Sequence, residues 1–486
     1  MKAGERGSAR PPIAPPLLAL IGSCVSGGLC FAFTVDDAFI VARFAQHIAS
    51  GAGYVMNVGE RAADGVTGPL WLVPLVLMRS LGFDPIAVAK LVGLACMASS
   101  VWIVTRRVGT RATGGVMTWV AAVLLATQPT LASWSVGGLE TGAVTLAATV
   151  LASTAMPGGR PATWAIALAG AAVPWLRPEL SPMAAVLLLH HARAEPTRGV
   201  RVALAALMIG ALVLPFRWSL FGHLLPLSAA AKPASIAAGL EYAARSVVVT
   251  TALGGIALTA LGARSGRRGD RVLGLALLAH VAAVVVAGGD WMPGFRLLAP
   301  VLPIYGYLVA VGFARLRVSR LSWRRWAAWV LLAPTLGVPL VDLALRVDGA
   351  RETAHSRATV GEQLVAELRE HATRVALVDV GFLAYRSGVG VFDLGGVTDA
   401  AVAFAPGGHL DKHIDERLLR ERAPDAILLH SRSAPQVGDD GELLGFDGYA
   451  VERRVAQMPW VRQHFTVASV HDYAPGYRYV LLLRRQ

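Results

Sequence analysis

Apolar runs of about 15–23 residues recur along the chain to roughly position 345, and they limit what it can fold into more than any other feature. A helix needs about 20 apolar residues to cross a hydrocarbon core about 30 Å thick. The runs lie near 14–33, 68–81, 86–105, 114–131, 137–155, 163–176, 179–193, 201–217, 240–262, 272–288, 296–315 and 325–345. With 55% hydrophobic and only 16% charged residues, they predict a polytopic α-helical membrane protein.

A formal charge of +13 raises nucleic acid as a partner, but the placement of the basic residues excludes it. They fall in short loops between apolar runs: Arg106, Arg107 and Arg111; Arg193, Arg198 and Arg201; Arg264, Arg267, Arg268 and Arg271; Arg315, Arg317, Arg320, Arg324 and Arg325. That is the excess expected of cytoplasmic loops. If every run crossed, most of these clusters would lie outside, so one run must fail to span. The run 68–81 is too short for the bilayer and reads as a juxtamembrane or re-entrant segment. About eleven transmembrane helices remain, with a cytoplasmic N-terminus and a retained first helix after Lys2, Arg6 and Arg10.

Residues 1–345 then form the membrane domain and 346–486 a small extracytoplasmic α/β domain. In the latter, Arg374–Val380 and Val389–Leu394 alternate as strands. His413–Glu421 reads as a helix leading into the strand Ala426–His430, 479–485 as a closing strand, and 438–448 as a loop. The three cysteines lie in apolar runs, which leaves the soluble part without a disulfide or a cysteine metal site. High Ala, Arg and Gly usage suggests a bacterial plasma (inner) membrane protein.

Acidic residues gather on the opposite face from the arginines. Asp36 and Asp37 emerge directly from the first run, where an aspartate at a helix centre would cost roughly 2.5–3.5 kcal/mol. A helix N-cap is the plain reading of the pair. Loop one also carries Arg43, His47, Asn57, Glu60, Arg61 and Asp64. The other outer loops hold Glu140, Arg177 with Glu179, Lys232, and Asp290-Trp291 with Arg296. Each tryptophan alone reads as an interfacial anchor, Lys232 as a snorkelling lysine, and the isolated acids as helix caps. His409 and His413 with Asp411 have helical metal-ligand spacing, but on a soluble loop they read as surface.

Taken in order, Asp36-Asp37-Ala38-Phe39-Ile40, Asn57-Val58-Gly59-Glu60-Arg61, Gly138-Leu139-Glu140-Thr141, Arg177-Pro178-Glu179 and Gly289-Asp290-Trp291-Met292-Pro293-Gly294-Phe295-Arg296 resemble the motifs of GT-C superfamily integral-membrane glycosyltransferases. Among these the chain is most similar to the terminal arabinofuranosyltransferases of actinobacterial cell walls. Val391-Phe392-Asp393-Leu394-Gly395-Gly396-Val397-Thr398-Asp399 is similar to the soluble domain of such enzymes. Gly68 stands where these sequences often have Ser, and Leu227 where Asn is common.

The resemblance implies transfer of arabinofuranose, or another pentose or hexose, from a polyprenyl-phosphate donor to a cell-envelope glycan, lipid or glycolipid acceptor. It makes the Asp36/Asp37 pair the catalytic base, Asp36 favoured because the motif begins there. Arg296, Lys232 and Arg177 would bind the donor phosphate. Arg43, Asn57, Glu60, Glu140, Glu179, Asp290 and Trp291 would bind sugar or acceptor, Arg43 because it lies about two turns after Asp36. No cofactor is required, and a divalent metal is not needed for a monophosphate leaving group. Alternatives are a protein O-mannosyltransferase, a transporter or a non-catalytic lipid-binding scaffold.

Overall fold

The computed structural model describes residues 13–111, 114–159 and 161–485. Lys2, Arg6 and Arg10, on which the retained-helix reading leans, lie outside them. Helices occupy the apolar runs. Six are long and apolar enough to cross a membrane, namely Pro85–Gly109, Arg198–Phe221, Ile236–Ala263, Arg268–Val286, Arg296–Arg317 and the run beginning at Ser322. Gly115–Ala126 and Pro129–Ser135, bent by 52° at a short break, make a seventh if counted as one span. Ala14–Leu29, Thr141–Ala152 and Thr163–Leu176 are apolar but shorter, so length and composition support six or seven spans rather than the expected eleven. Helix Pro69–Ser80, in the run expected not to cross, is also short, about 18 Å of helix for its twelve residues.

Small residues set the closest helix crossings. A Cβ on Gly312 would fall within van der Waals contact of the Leu258 carbonyl oxygen, and one on Gly262 of the Leu308 carbonyl oxygen. Such close approach between apolar helices compensates for the missing hydrophobic drive in lipid. Helix Ile236–Ala263 breaks at Ala252 (φ 52°), and side chains take up the freed carbonyls. Gln128 donates to Thr250 at 3.0 Å and Tyr305 to Thr251 at 3.1 Å.

The helix Ser322–Ser356 runs unbroken through position 345 and continues through a π-helical turn at Arg357–Gly361 into Glu362–His371. A five-stranded sheet follows. Its strands are β1 (Arg374–Leu377), β2 (Gly390–Asp393), β3 (Ala426–Ser431), β6 (Phe465–Ala474) and β7 (Tyr477–Arg484), in the order β2-β1-β3-β7-β6. β1 is parallel to β2 and β3, whereas β7 is antiparallel to β3 and β6. β3 is buried along its length, its first four residues apolar and its last two, His430 and Ser431, polar. β5 (Leu443–Gly445), within the region expected to be a loop, pairs with β4 (Gln436–Val437) just before it in a small hairpin. β1 stops three residues earlier than the alternation implied, and the segment that follows carries the Gly381 N–H to Asp36 while Asp379 bonds His430, Tyr477 and Tyr479 within the α/β domain.

Candidate active site

The paired aspartates occupy the first turn of helix Asp36–Ala49, whose N-cap is Val35 with no side-chain cap bond. Neither acid caps the helix. Successive residues on a helix point about 100° apart, so the two carboxylates face different neighbours. Asp36 faces the α/β domain. Its Oδ2 accepts the Gly381 N–H and its Oδ1 the Phe382 N–H, both at 2.9 Å, while Arg357 lies 3.8 Å away. Gly381 is required there, because a Cβ would overlap the Asp36 carbonyl and carboxylate oxygens. Arg357, placed by the π turn, also donates to the Thr34 carbonyl and sits over the rings of Phe39 and Phe382. Desolvation, then the carboxylate of Asp379, push the Asp36 pKa up to about 6, with Arg357 and the Phe382 N–H opposing.

Asp37 faces inward. It lines a cavity of about 50 Å³ together with Thr67, Glu140, Arg177, Ser228, Lys232 and Arg296, and Val397 of the α/β domain forms one wall. Asp37 Oδ2 is 3.9 Å from Arg296 Nη1. Three cations meet here, each differently held. Arg296 pairs with Asp290 at 2.5 Å and lies 5.8 Å from the Trp134 ring centre. Arg177 pairs with Glu140 and, at 3.3 Å, with Glu179. Lys232 sits 5.4 Å from the Trp291 ring centre and, among the described residues, has no carboxylate within ion-pair distance. Desolvation lowers the Lys232 pKa, while Asp37 and Asp290 raise it and Arg296 lowers it further.

The surrounding loops are braced. Phe295 adopts a left-handed conformation (φ 54°) at the turn leading into Arg296. Trp134 Nε1–H donates to the Gly294 carbonyl at 2.9 Å, and Arg346 to the same oxygen at 3.2 Å. A buried ion pair between Arg217 and Asp64, with Arg217 also donating to the Thr67 carbonyl at 2.5 Å, fixes loop one against helix Val213–Phe221.

The structure thus brings together Asp37, Arg296, Lys232, Arg177, Glu140, Glu179, Asp290 and Trp291. Three expected sugar or acceptor ligands are elsewhere, and Asp36, the favoured base, is occupied by backbone. Arg43 is buried against the α/β domain, donating to Met56 O at 2.9 Å, Val389 O at 2.8 Å and Ala384 O. Asn57 pairs edge-on with β2, donating to Val391 O at 2.8 Å and accepting the Val391 N–H at 2.9 Å. Glu60 forms an ion pair with Arg374 at 2.5 Å. The first two turns of helix Asp36–Ala49 therefore carry domain-docking residues beside a cavity residue, and spacing along the sequence cannot separate the two.

Sequence reasoning missed one neighbour of the cavity. His409, read as surface, packs its ring 6.5 Å from that of Trp291, within electrostatic reach of Lys232 and Asp37. The local spacing that singles it out points to a metal and not to this cavity, because the α/β domain delivers it across the seam. Among the described residues, no group of three or more His, Cys, Asp or Glu is arranged to hold a metal ion.

A helical membrane part bearing a sheet-containing domain on one rim, with the acid–base cavity between them, defines a multi-pass membrane protein of the GT-C fold. The chain is similar to ArnT from Cupriavidus metallidurans. The structure of ArnT bound to undecaprenyl phosphate superimposes with a TM-score of 0.55 at 12% identity, covering 97% of both chains. The apo state gives 0.54 at 13% identity, again covering 97% of each. Residues 347–481 match a family model described as a domain of unknown function (DUF8728). No curated protein matches the chain.

Proposed function

We propose that this protein is a glycosyltransferase that moves a sugar from a polyprenyl-phosphate donor to a hydroxyl of a cell-envelope glycan, lipid or glycolipid. The observation that carries the reading is the cavity where Asp37 meets Arg296, Arg177 and the carboxylate-free Lys232. The undecaprenyl phosphate bound to ArnT, which shares the fold, supports a lipid monophosphate as the leaving group. Arabinofuranose or another pentose or hexose is the sugar implied by the motifs, and the positive loops imply transfer on the extracytoplasmic face.

In this reaction Asp37 takes the proton of the acceptor hydroxyl as that oxygen bonds to the anomeric carbon. The bond from the anomeric carbon to the phosphate oxygen breaks, and the lipid phosphate leaves with the electron pair. Arg296 and Arg177 already have carboxylate partners, so their charge is largely compensated and their orientation is fixed. Lys232 is the cation available to the phosphate, and binding a dianion there would restore its depressed proton affinity. The rim position of these groups favours this reading over a transporter, whose ionisable residues belong near the bilayer midplane.

The test uses the full chain reconstituted in lipid, a panel of polyprenyl-phosphate pentoses and hexoses, and membrane extract as acceptor. Release of polyprenyl phosphate is measured. Asp37→Asn is expected to lower turnover about 10²–10⁴-fold, the range for loss of a positioned base. Asp36→Asn should retain most of it. Donor consumption by none of the panel, or full activity in Asp37→Asn, overturns the proposal.

A further inference from the structure

His409 belongs to the α/β domain, yet its ring is held beside Trp291 and near the cavity residues Lys232 and Asp37 by a dedicated support. Asp393, at the end of β2 and almost fully buried, accepts four hydrogen bonds from the turn that follows. They come from the N–H groups of Gly395 (2.8 Å), Gly396 (3.0 Å) and Thr398 (2.7 Å) and from the Thr398 hydroxyl (3.0 Å). The turn presents two things to the membrane domain. Val397 enters the cavity wall, and the Gly395 carbonyl meets Nδ1 of His409 at 2.9 Å.

A carbonyl oxygen only accepts, so Nδ1 carries the proton. In the neutral ring Nε2 is then a bare acceptor, and it has no hydrogen-bond partner among the described residues. Residue 395 admits no side chain, because a Cβ would overlap the His409 ring. The charged groups facing His409 come from three elements. They are Lys232 ahead of helix Ile236–Ala263, Asp37 on the rim helix and Asp393 on β2. Desolvation first, then Lys232, lower its pKa, which keeps the ring neutral at pH 7.

Building on the transferase reading, we propose that His409 is a substrate-binding residue whose Nε2 accepts a hydrogen bond from a sugar hydroxyl between Trp291 and the α/β domain. The apolar Trp291 face beside a fixed acceptor suits a pyranose or furanose ring, which offers C–H groups to one side and hydroxyls at its edge. The hydroxyl belongs either to the donor sugar or to the acceptor. The role makes the α/β domain part of the site, since the membrane helices alone lack this acceptor.

Two substitutions separate the ring's halves. In His409→Asn the amide still donates to Gly395 but cannot reach the Nε2 position; in His409→Gln an amide oxygen reaches it. With the full chain and the same donor panel, His409→Asn should raise one KM about tenfold, the scale of one lost hydrogen bond to a buried partner. A shift in donor KM assigns the hydroxyl to the donor sugar, and a shift in acceptor KM to the acceptor. His409→Gln should recover most of the loss. Gly395→Ala should reproduce the His409→Asn effect by displacing the ring. The wild type should lose kcat/KM on the acid side as Nε2 gains a proton, in addition to the loss from protonation of Asp37, and His409→Gln should remove the histidine part of that limb while keeping the aspartate part.

Equal KM values in wild type and His409→Asn, with Asp37→Asn inactive, overturn the inference and leave the transferase reading intact. So does a His409→Gln as impaired as His409→Asn, or an unchanged acid limb. A wild type that consumes no donor overturns both.

Discussion

Asn57 separates the two roles that loop one could play. Its side chain is almost fully buried and joins β2 as a strand would, satisfying both the N–H and the C=O of Val391. Asn57→Ala leaves both backbone groups of Val391 without these partners. An unpaired buried group costs about 1–3 kcal/mol. Asn57 also lines two open crevices, so water can reach the gap, and the lower half of the range applies to the two groups together, about 2–4 kcal/mol. For a domain of this size that corresponds to a fall in Tm of roughly 5–15 °C in the transition of the α/β domain. Asn57→Asp is the sharper variant. It keeps the acceptor for the Val391 N–H but turns a carboxylate oxygen toward Val391 O and toward Glu60, which Asn57 now contacts at 2.9 Å. It should therefore be no more stable than Asn57→Ala despite its matching shape. Differential scanning fluorimetry and limited proteolysis of the segment beyond residue 371, run in the same detergent, read out undocking. A variant with unchanged Tm and protease resistance but raised substrate KM would refute the docking role and return Asn57 to the sugar site.

Gly381→Ala should undock the same seam through a steric route, since its Cβ meets the Asp36 backbone and carboxylate. The expected loss is about 1–3 kcal/mol, seen as faster proteolysis at the domain junction. Lys232→Met should weaken binding of undecaprenyl phosphate about tenfold or more without lowering Tm, measured by native mass spectrometry across a lipid titration. The α/β domain should also lose stability in alkali. His430 is held between Asp379 (3.0 Å) and Glu452 (2.5 Å), which raise its pKa to about 10 against desolvation. A folded-state pKa above the unfolded value makes the contribution complete below about pH 6.5 and lost as pH rises through about 10. Tm measured from pH 6 to 10.5 should fall across that window, and His430→Gln should lower it throughout while flattening the slope.

Much of the membrane part was legible because the bilayer imposes one rule, length of apolar helix, on every span. The rule is weakest where helices are short or bent, and among the described residues Ala14–Leu29, Thr141–Ala152, Thr163–Leu176 and the break before Pro129 are where length and composition count fewer spans than the eleven expected. β1, β2, β3 and β7 were readable from alternation and apolar runs. β6 was not, because its face toward the seam is polar and aromatic, as in Ser469, His471 and Tyr473. The cations and acids of the cavity were also readable, since each sits at the mouth of an apolar run where charge is unexpected. Arg43, Asn57 and Glu60 have that same signature for another reason. A second domain docks on the same rim, and it too recruits polar groups.

The two aspartates show why proximity in sequence could not decide function. At the start of a helix both gain from the dipole, so both are stable there whatever else they do. Their roles diverge only because the chain returns more than 300 residues later and places the Gly381 and Phe382 N–H groups over one of them. Asp36, so bound, fixes the rotation of the helix about its axis, and that rotation aims Asp37 at Arg296. The docked domain then contributes Val397 to the cavity wall and sets His409 beside Trp291. Loosening the seam should therefore slow the chemistry through geometry while Asp37, Lys232 and Arg296 all remain in place. Gly381→Ala tests this coupling. It should lower kcat more than donor affinity, whereas Lys232→Met should do the reverse. Equal effects of the two variants on both parameters would mean that the seam does not position the base.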